Sequence, residues 1–164
     1  MNPPTYYVET SVPSFYFDTR RERKFQAMRE WTREWWDLAS HRNDHLVTSA
    51  ATFDELEQAP QPKASRTLGL LAKLPVFDFD RRIQEIIEVY LVNHLMPADA
   101  GGDAAHLAFA SFYQCSYLVT WNCKHLANAR KFDHIDAVNL RLGLSTPRLV
   151  TPQQLLENID ENDV

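Results

Sequence analysis

The sequence predicts an α/β fold with a mainly parallel sheet, because short apolar, β-prone runs alternate along it with longer helical periodicities. Its 164 residues are 45% hydrophobic and 12% aromatic, with 4 Gly against 9 Pro. That balance excludes low-complexity, collagen-like and disordered classes. A chain of this length buries about 70% of its extended-chain surface. No stretch resembles a linker, so one domain is expected over residues 1–164, with its core from about 6 to 156 and an acidic tail from Asp160 to Asp163 that frays.

Tyr6-Tyr7-Val8 is the first strand, and Glu9-Thr10-Ser11 after it is helix-start chemistry. From Glu22 to about His41, Phe25, Met28, Trp31, Trp35, Leu38 and Ala39 recur at three- and four-residue steps, one face of a long helix. His45 to Thr48 reads as a second strand. A helix follows from Ala51 to Gln58, then Pro60 and Pro62 break the chain before another from Lys63 to Leu74. Arg81 to about His94 is amphipathic through Ile83, Ile86, Ile87, Tyr90 and Leu91. After a loop from Met96 to Gly102, Asp103 to Tyr113 is Ala/Leu/Phe-rich on nearly all sides, which predicts a central, buried helix. Tyr117 to Thr120 is a third strand and Leu149-Val150 a fourth. Thr151-Pro152 then supplies N-cap and first-turn chemistry for a terminal helix.

Charge narrows the function. Seventeen Lys+Arg against 22 Asp+Glu give a net charge of −5, which excludes binding nucleic acid through a broad basic surface but not an enzyme whose acids hold metal ions. Cys115 and Cys123 form neither a disulfide framework nor a zinc spacing, so a reducing cytoplasm is expected. No stretch approaches the roughly 20 apolar residues needed to span a bilayer, and the start lacks a signal-peptide pattern, so a soluble protein with no membrane partner is expected. P-loop, dinucleotide-fingerprint and nucleophile-elbow motifs are all missing.

In an open parallel sheet, ligands bind beyond the carboxyl ends of the strands. Glu9 follows the first strand, Glu55 lies on the helix after the second, Asp103 opens the buried helix, and Asn122 follows the third strand. Carboxylates gathered at one edge repel and need a counter-charge. No Lys or Arg lies within three residues of Glu9, Glu55 or Asp103, so a divalent cation is the simpler neutraliser, and oxygen ligands suit Mg²⁺ or Mn²⁺ better than zinc. Each residue also has a structural reading. Glu55 fits a capping box with Thr52, Asp103 an N-cap, and Asn122 a turn. Glu9 is harder to explain structurally, because a carboxylate ending a buried strand is costly without a partner. His94, His106 and His125 lack zinc spacing, although His106, one turn after Asp103, is placed to orient that carboxylate. Trp31, Trp35 and Trp36 read as core or subunit-contact residues, with base stacking the lesser alternative. The basic run Arg20, Arg21, Arg23 and Lys24 reads as a solvated helix start or, alternatively, a phosphate contact.

Four segments, taken in order, resemble the PIN-domain family, and within it the VapC-type toxins of toxin–antitoxin modules. They are Tyr7-Val8-Glu9-Thr10-Ser11-Val12-Pro13-Ser14, Glu55 after Thr48-Ser49, Met96-Pro97-Ala98-Asp99 through Gly102-Asp103-Ala104-Ala105-His106-Leu107-Ala108, and Thr120-Trp121-Asn122-Cys123-Lys124-His125-Leu126-Ala127-Asn128. The similarity runs from about Tyr6 to Leu156. It implies a PIN-like three-layer fold and a Mg²⁺- or Mn²⁺-dependent endoribonuclease that cleaves single-stranded RNA to 5′-phosphate and 3′-hydroxyl ends. It further implies a small antitoxin protein as partner and a homodimer. By resemblance, Glu9, Glu55, Asp103 and Asn122 occupy the catalytic positions, with Glu9, Glu55 and Asp103 as metal ligands and Asp99 as a further candidate. Asn122 stands where the family usually has an acid. That exchange removes a negative charge and favours, as the alternative, a catalytically weakened RNA- or protein-binding module.

Overall fold

Side-chain alternation along the strands explains how one sheet serves two cores. The computed structural model describes residues 3–98 and 102–160, so the candidate ligand Asp99 and the tail beyond Asp160 lie outside the described residues. Among the described residues there are five strands: β1 (Thr5–Val8), β2 (His45–Ser49), β3 (Val76–Phe77), β4 (Tyr117–Val119) and β5 (Arg148–Val150). All pair in parallel, in the order β3-β2-β1-β4-β5. Tyr7 pairs with Val47 and Leu118, and these three enter one core with Ile83, Tyr90, Leu107, Phe109 and Ile135. Val8, Leu46 and Val119 enter the opposite core with Trp35, Trp36, Leu71 and Leu155. A period of two thus builds the three-layer α/β architecture expected from the sequence.

The helices are α1 (Ser11–Tyr16), α2 (Arg23–His41), α3 (Ala50–Glu57), α4 (Lys63–Leu71), α5 (Arg81–Val92), α6 (Asp103–Phe112), α7 (Ala129–Arg141) and α8 (Pro152–Asp160). Every residue of α6 from Asp103 to Ser111 is buried, as its apolar surround predicts. Polar side chains lock this helix to its neighbours: the Tyr90 hydroxyl donates to Asn139 Oδ1 at 2.6 Å, and Asn139 Nδ2 donates to Ser111 Oγ at 3.0 Å. Thr151 and Gln154 form a reciprocal capping box at the start of α8, with bonds of 3.0 and 3.2 Å. No helix is long and apolar enough to cross a membrane among the described residues.

Three elements depart from the sequence expectation. Helix α4 stops at Leu71, with Ala72 as its C-cap, rather than at Leu74, which precedes Pro75 and is disfavoured in the helical region. Strand β3 is two residues long, too short for periodicity to register. Helix α7 buries only Ile135, Val138 and Asn139, so its apolar stripe is too sparse to stand out from its charged positions.

Four helix ends follow one rule. In α2, α5, α6 and α7 the residue after the C-cap adopts a left-handed conformation: Asn43 (φ 55°), His94 (φ 54°), Gln114 (φ 56°) and Gly143 (φ 72°). Each makes a 5→2 bond, and the next amide makes a 6→1 bond, as in Gln114 to Ser111 O at 3.2 Å and Cys115 to Ala110 O at 2.9 Å. This is the Schellman arrangement. Three of the four positions lack glycine, so the usual sequence signal for a helix stop is absent there. A left-handed conformation costs a non-glycine residue about 1–2 kcal/mol, partly offset by glycine's entropy in the unfolded chain. Replacing exposed Gln114 with Gly is therefore expected to stabilise the protein by about 0.5–1 kcal/mol in urea unfolding, whereas Gln114→Val should destabilise it.

Candidate metal centre

Strand order places the site. The sheet reverses direction of growth between β1 and β4, and such a switch point opens a crevice beyond the strand ends. Glu9 leaves the end of β1, its amide still bonded to Val119 O at 3.1 Å. Thr120, Trp121 and Asn122 leave the end of β4 beside it. Glu55 projects from α3, and Asp103 is the first residue of α6.

Glu9 is held by hydroxyls rather than by a cation. Its Oε2 accepts from the Ser11 amide at 3.1 Å, from Ser11 Oγ, and from Thr120 Oγ1 at 2.6 Å. Ser11 Oγ also accepts from the Trp121 amide at 2.8 Å, tying both strand ends to one carboxylate. Glu9 is only 5% exposed.

Glu55 and His106 form an ion pair, with Oε1 2.7 Å from Nε2. Burial pushes the His106 imidazolium toward losing its proton. The Glu55 bond and the charges of Glu9, Glu55 and Asp103 outweigh that and raise its pKa. Burial likewise pushes Glu55 up, but the bond and charge of His106, with the Thr10 hydroxyl, leave it below its ordinary value. A charged His106 donates from both ring nitrogens. Tyr7 Oη, 2.7 Å from Nδ1, then accepts, and its hydrogen goes to Ser49 Oγ at 2.6 Å. This fully buried relay fixes the ring that holds Glu55.

Asp103 is 7% exposed, and its Oδ2 accepts from Asn122 Nδ2 at 2.9 Å. Burial, then the charge of Glu9, push its pKa up to about 6, against relief from Asn122 and His106. Asn122 is used at both ends, because its Oδ1 accepts from the His125 amide at 3.0 Å.

Gly102 provides the remaining room. A Cβ there would collide with Glu55 Oε1 and crowd His106 Nε2, so only glycine lets the start of α6 approach the Glu55–His106 pair.

The four sequence candidates therefore converge, while three structural readings change. Thr52 caps nothing: the α3 N-cap is Ser49, and Thr52 Oγ1 instead reaches Val8 O at 3.5 Å, so no capping box forms with Glu55. The α6 N-cap is Gly102, which makes Asp103 the first helical residue rather than a cap. His106 bonds Glu55 and not Asp103, because its ring points back over the preceding turn toward α3. Sequence reasoning also passed over Ser11, Thr120 and Tyr7. The one available signal was His106 itself, a polar ring in an otherwise apolar helix, which demands partners when buried.

Donor atoms of Glu9, Glu55 and His106 lie within 4.8 Å of one another. Among the described residues neither Glu9 nor Asp103 has a Lys or Arg partner. Glu9 Oε1 and Asp103 Oδ1 take no hydrogen bond there, and no buried side-chain polar atom is left unsatisfied. This donor set fits a hard divalent cation on the carboxylates. His106, with both nitrogens engaged and its pKa raised, serves as their counter-charge.

Solved structures with this arrangement of elements carry a name. The VapBC2 complex of Rickettsia felis bound to a DNA fragment from its promoter matches with a TM-score of 0.54 at 14% identity, over 90% of this chain and 96% of the matched chain. The chain has the PIN-domain fold of VapC toxins. VapC20 of Mycobacterium tuberculosis, a toxin that cleaves the sarcin–ricin loop, matches with a TM-score of 0.53 at 13% identity, over 73% of this chain and 92% of that one. Sequence comparison finds no matching family model and no matching curated protein. The PIN fold is thus retained at an identity where only architecture is shared.

Two outcomes follow from the electrostatics. Because folding raises Asp103 from 3.8 to about 6, the metal-free fold holds that proton more tightly than the unfolded chain. Its contribution is intact below about pH 4 and is lost as pH rises through 6, by up to about 3 kcal/mol. The stability difference between the parent and Asp103→Asn, measured by urea unfolding in chelator, should therefore swing toward the variant across that window. Gly102→Ala should displace the Glu55 carboxylate from His106 without unfolding the chain. The His106 imidazole pKa, read by NMR, is then expected to fall.

Proposed function

We propose that the protein is a metal-dependent endoribonuclease that cuts single-stranded RNA, acting as the toxin of a toxin–antitoxin pair. The observation that carries this is a group of three carboxylates at the switch point of a PIN fold, Glu9 and Asp103 buried and Glu55 at the exposed rim, with His106 as their counter-charge among the described residues. Mg²⁺ or Mn²⁺ held by Glu9, Asp103 and Glu55 would supply Lewis-acid charge for a phosphodiester and its leaving oxygen and ease deprotonation of water.

The chain's own residues set up that chemistry. Ser11 and Thr120 pin Glu9 through one oxygen and leave the other for a ligand. Asn122 does the same for Asp103. His106 and Gly102 set the position of Glu55, which faces the centre from α3, the element across from Asn122. Raised toward neutrality, Asp103 is also placed to take or return a proton at the carboxylate edge.

The partner assignment rests on likeness. The Rickettsia felis neighbour is a toxin–antitoxin complex on promoter DNA, which supports a small antitoxin for this chain too. The homodimer and the cytoplasmic location belong to the same reading. The aromatic helix α2 spends Thr32, Trp35, Trp36 and Ala39 on its own core, so a dimer contact through that face is not favoured.

A second reading, a PIN-like module that binds without cutting, is favoured by Asn122. Mn²⁺ titration by calorimetry discriminates the two readings, since the nuclease requires an ion at the carboxylates and a binding-only module does not. For the nuclease, Asp103→Ala should lower cleavage of a single-stranded RNA by about 10²-fold or more. The variant's melting temperature should match or exceed the parent's in chelator, because removing Asp103 relieves repulsion. Chelator should abolish parental cleavage, and Mn²⁺ should restore it. Undiminished cutting by the variant would overturn the assignment.

A further inference from the structure

Next to the acidic centre the surface changes sign. A cavity of about 490 Å³ is lined by His94, Met96, Pro97, Lys124, His125 and Lys131. Every ionisable group among these lining residues is basic, in a chain whose net charge is −5. The pocket connects to the centre through one side chain: the His125 amide bonds Asn122 Oδ1 at 3.0 Å, and Asn122 Nδ2 bonds Asp103 Oδ2 at 2.9 Å.

The basic groups are presented by fixed backbone. His94 occupies the left-handed position that ends α5, and Leu126 and Ala127 fold the intervening turn back onto Asn122 O at 3.2 and 2.9 Å. Lys131 Nζ donates to Leu95 O at 3.0 Å and lies 3.5 Å from His125 Nδ1. With three N–H groups it keeps a donor in reserve. Lys124 is exposed and enters no ion pair among the described residues. At the other basic candidate, a pocket lined by Arg20, Lys63 and Arg66, Arg20 is clamped by Asp18 with bonds of 2.6 to 3.1 Å, and no hydrogen bond of the described residues joins that pocket to the acidic centre.

We propose that the Lys124–Lys131 pocket binds a phosphate of the substrate strand adjoining the one at the acidic centre, an inference that rests on the ribonuclease reading. Carboxylates repel a polyanionic strand, and a metal ion answers that repulsion at one phosphate only. A basic pocket two hydrogen bonds away holds the next phosphate and sets the strand's register without reading its bases.

The test uses an eight-nucleotide single-stranded RNA and the same RNA with one neutral methylphosphonate linkage placed at each position in turn. Binding is measured in the uncut state, on an Asp103→Asn background, with and without Lys124→Ala plus Lys131→Met. On the lysine-bearing protein, one linkage should weaken binding about threefold or more when neutral. The double lysine variant should bind the unmodified RNA more weakly, with a salt slope shallower by about 0.7 for each phosphate that a lysine no longer neutralises. It should also be indifferent to the neutral linkage. Equal affinity and slope in the two proteins, or a neutral-linkage penalty that survives the lysine changes, would overturn the proposal. Lys124→Glu alone, at an exposed position, repeats the comparison should the Lys131 change disturb the fold. Parental protein that cuts no RNA with Mn²⁺ would remove the ribonuclease reading, and the binding comparison would still decide the pocket.

Discussion

The structure depends on keeping negative charge concentrated where the sheet reverses. Glu9, Glu55 and Asp103 come from three elements, and the fold brings no lysine or arginine to any of them among the described residues. Burial makes each charge more costly, and mutual repulsion adds to it, which is why Asp103 is the group driven upward. Surrounding hydroxyls, one amide and one imidazolium moderate this cost without cancelling it. The remaining imbalance is the kind that a dication would offset.

How the three acids are held shows a division of labour. Glu9 is restrained by neutral donors that stay put whatever the pH, so both strand ends move together with it. Glu55 is restrained by a charged partner whose other nitrogen is tied to Tyr7 and Ser49 at the bottom of the crevice. Asp103 has the weakest restraint, one amide bond from Asn122, and the highest proton affinity of the carboxylates with a resolved shift. The group least neutralised by the protein is the one with most to gain from a cation.

Much of this was legible in the sequence because the relevant signals are local. Strand periodicity and the apolar surround of α6 are patterns a few residues wide that the structure bears out, and Glu9, Glu55 and Asp103, read from their places near strand and helix ends, come together in one crevice. What escaped was set by tertiary contact. His106 reads as a neighbour of Asp103 along the helix, yet its partner Glu55 is 51 positions away and comes close only because Gly102 has no side chain. Thr52 and Glu55 match a capping box, but the helix begins earlier and their side chains find partners in other elements. Helix α7 and three glycine-free helix stops hid for a similar reason: tertiary packing and backbone hydrogen bonds supplied what composition did not advertise.

Asn122 then reads differently from a lost acid. An aspartate there would face the Asp103 carboxylate across a distance that the amide now spans with a 2.9 Å hydrogen bond, adding repulsion to the group already most strained by it. It would still accept from the His125 amide, but it could no longer donate to Asp103, so the link between the acidic centre and the basic turn beyond it would be lost. The asparagine therefore exchanges one unit of metal-attracting charge for a rigid connection. In this chain, the connection leads to the lysines.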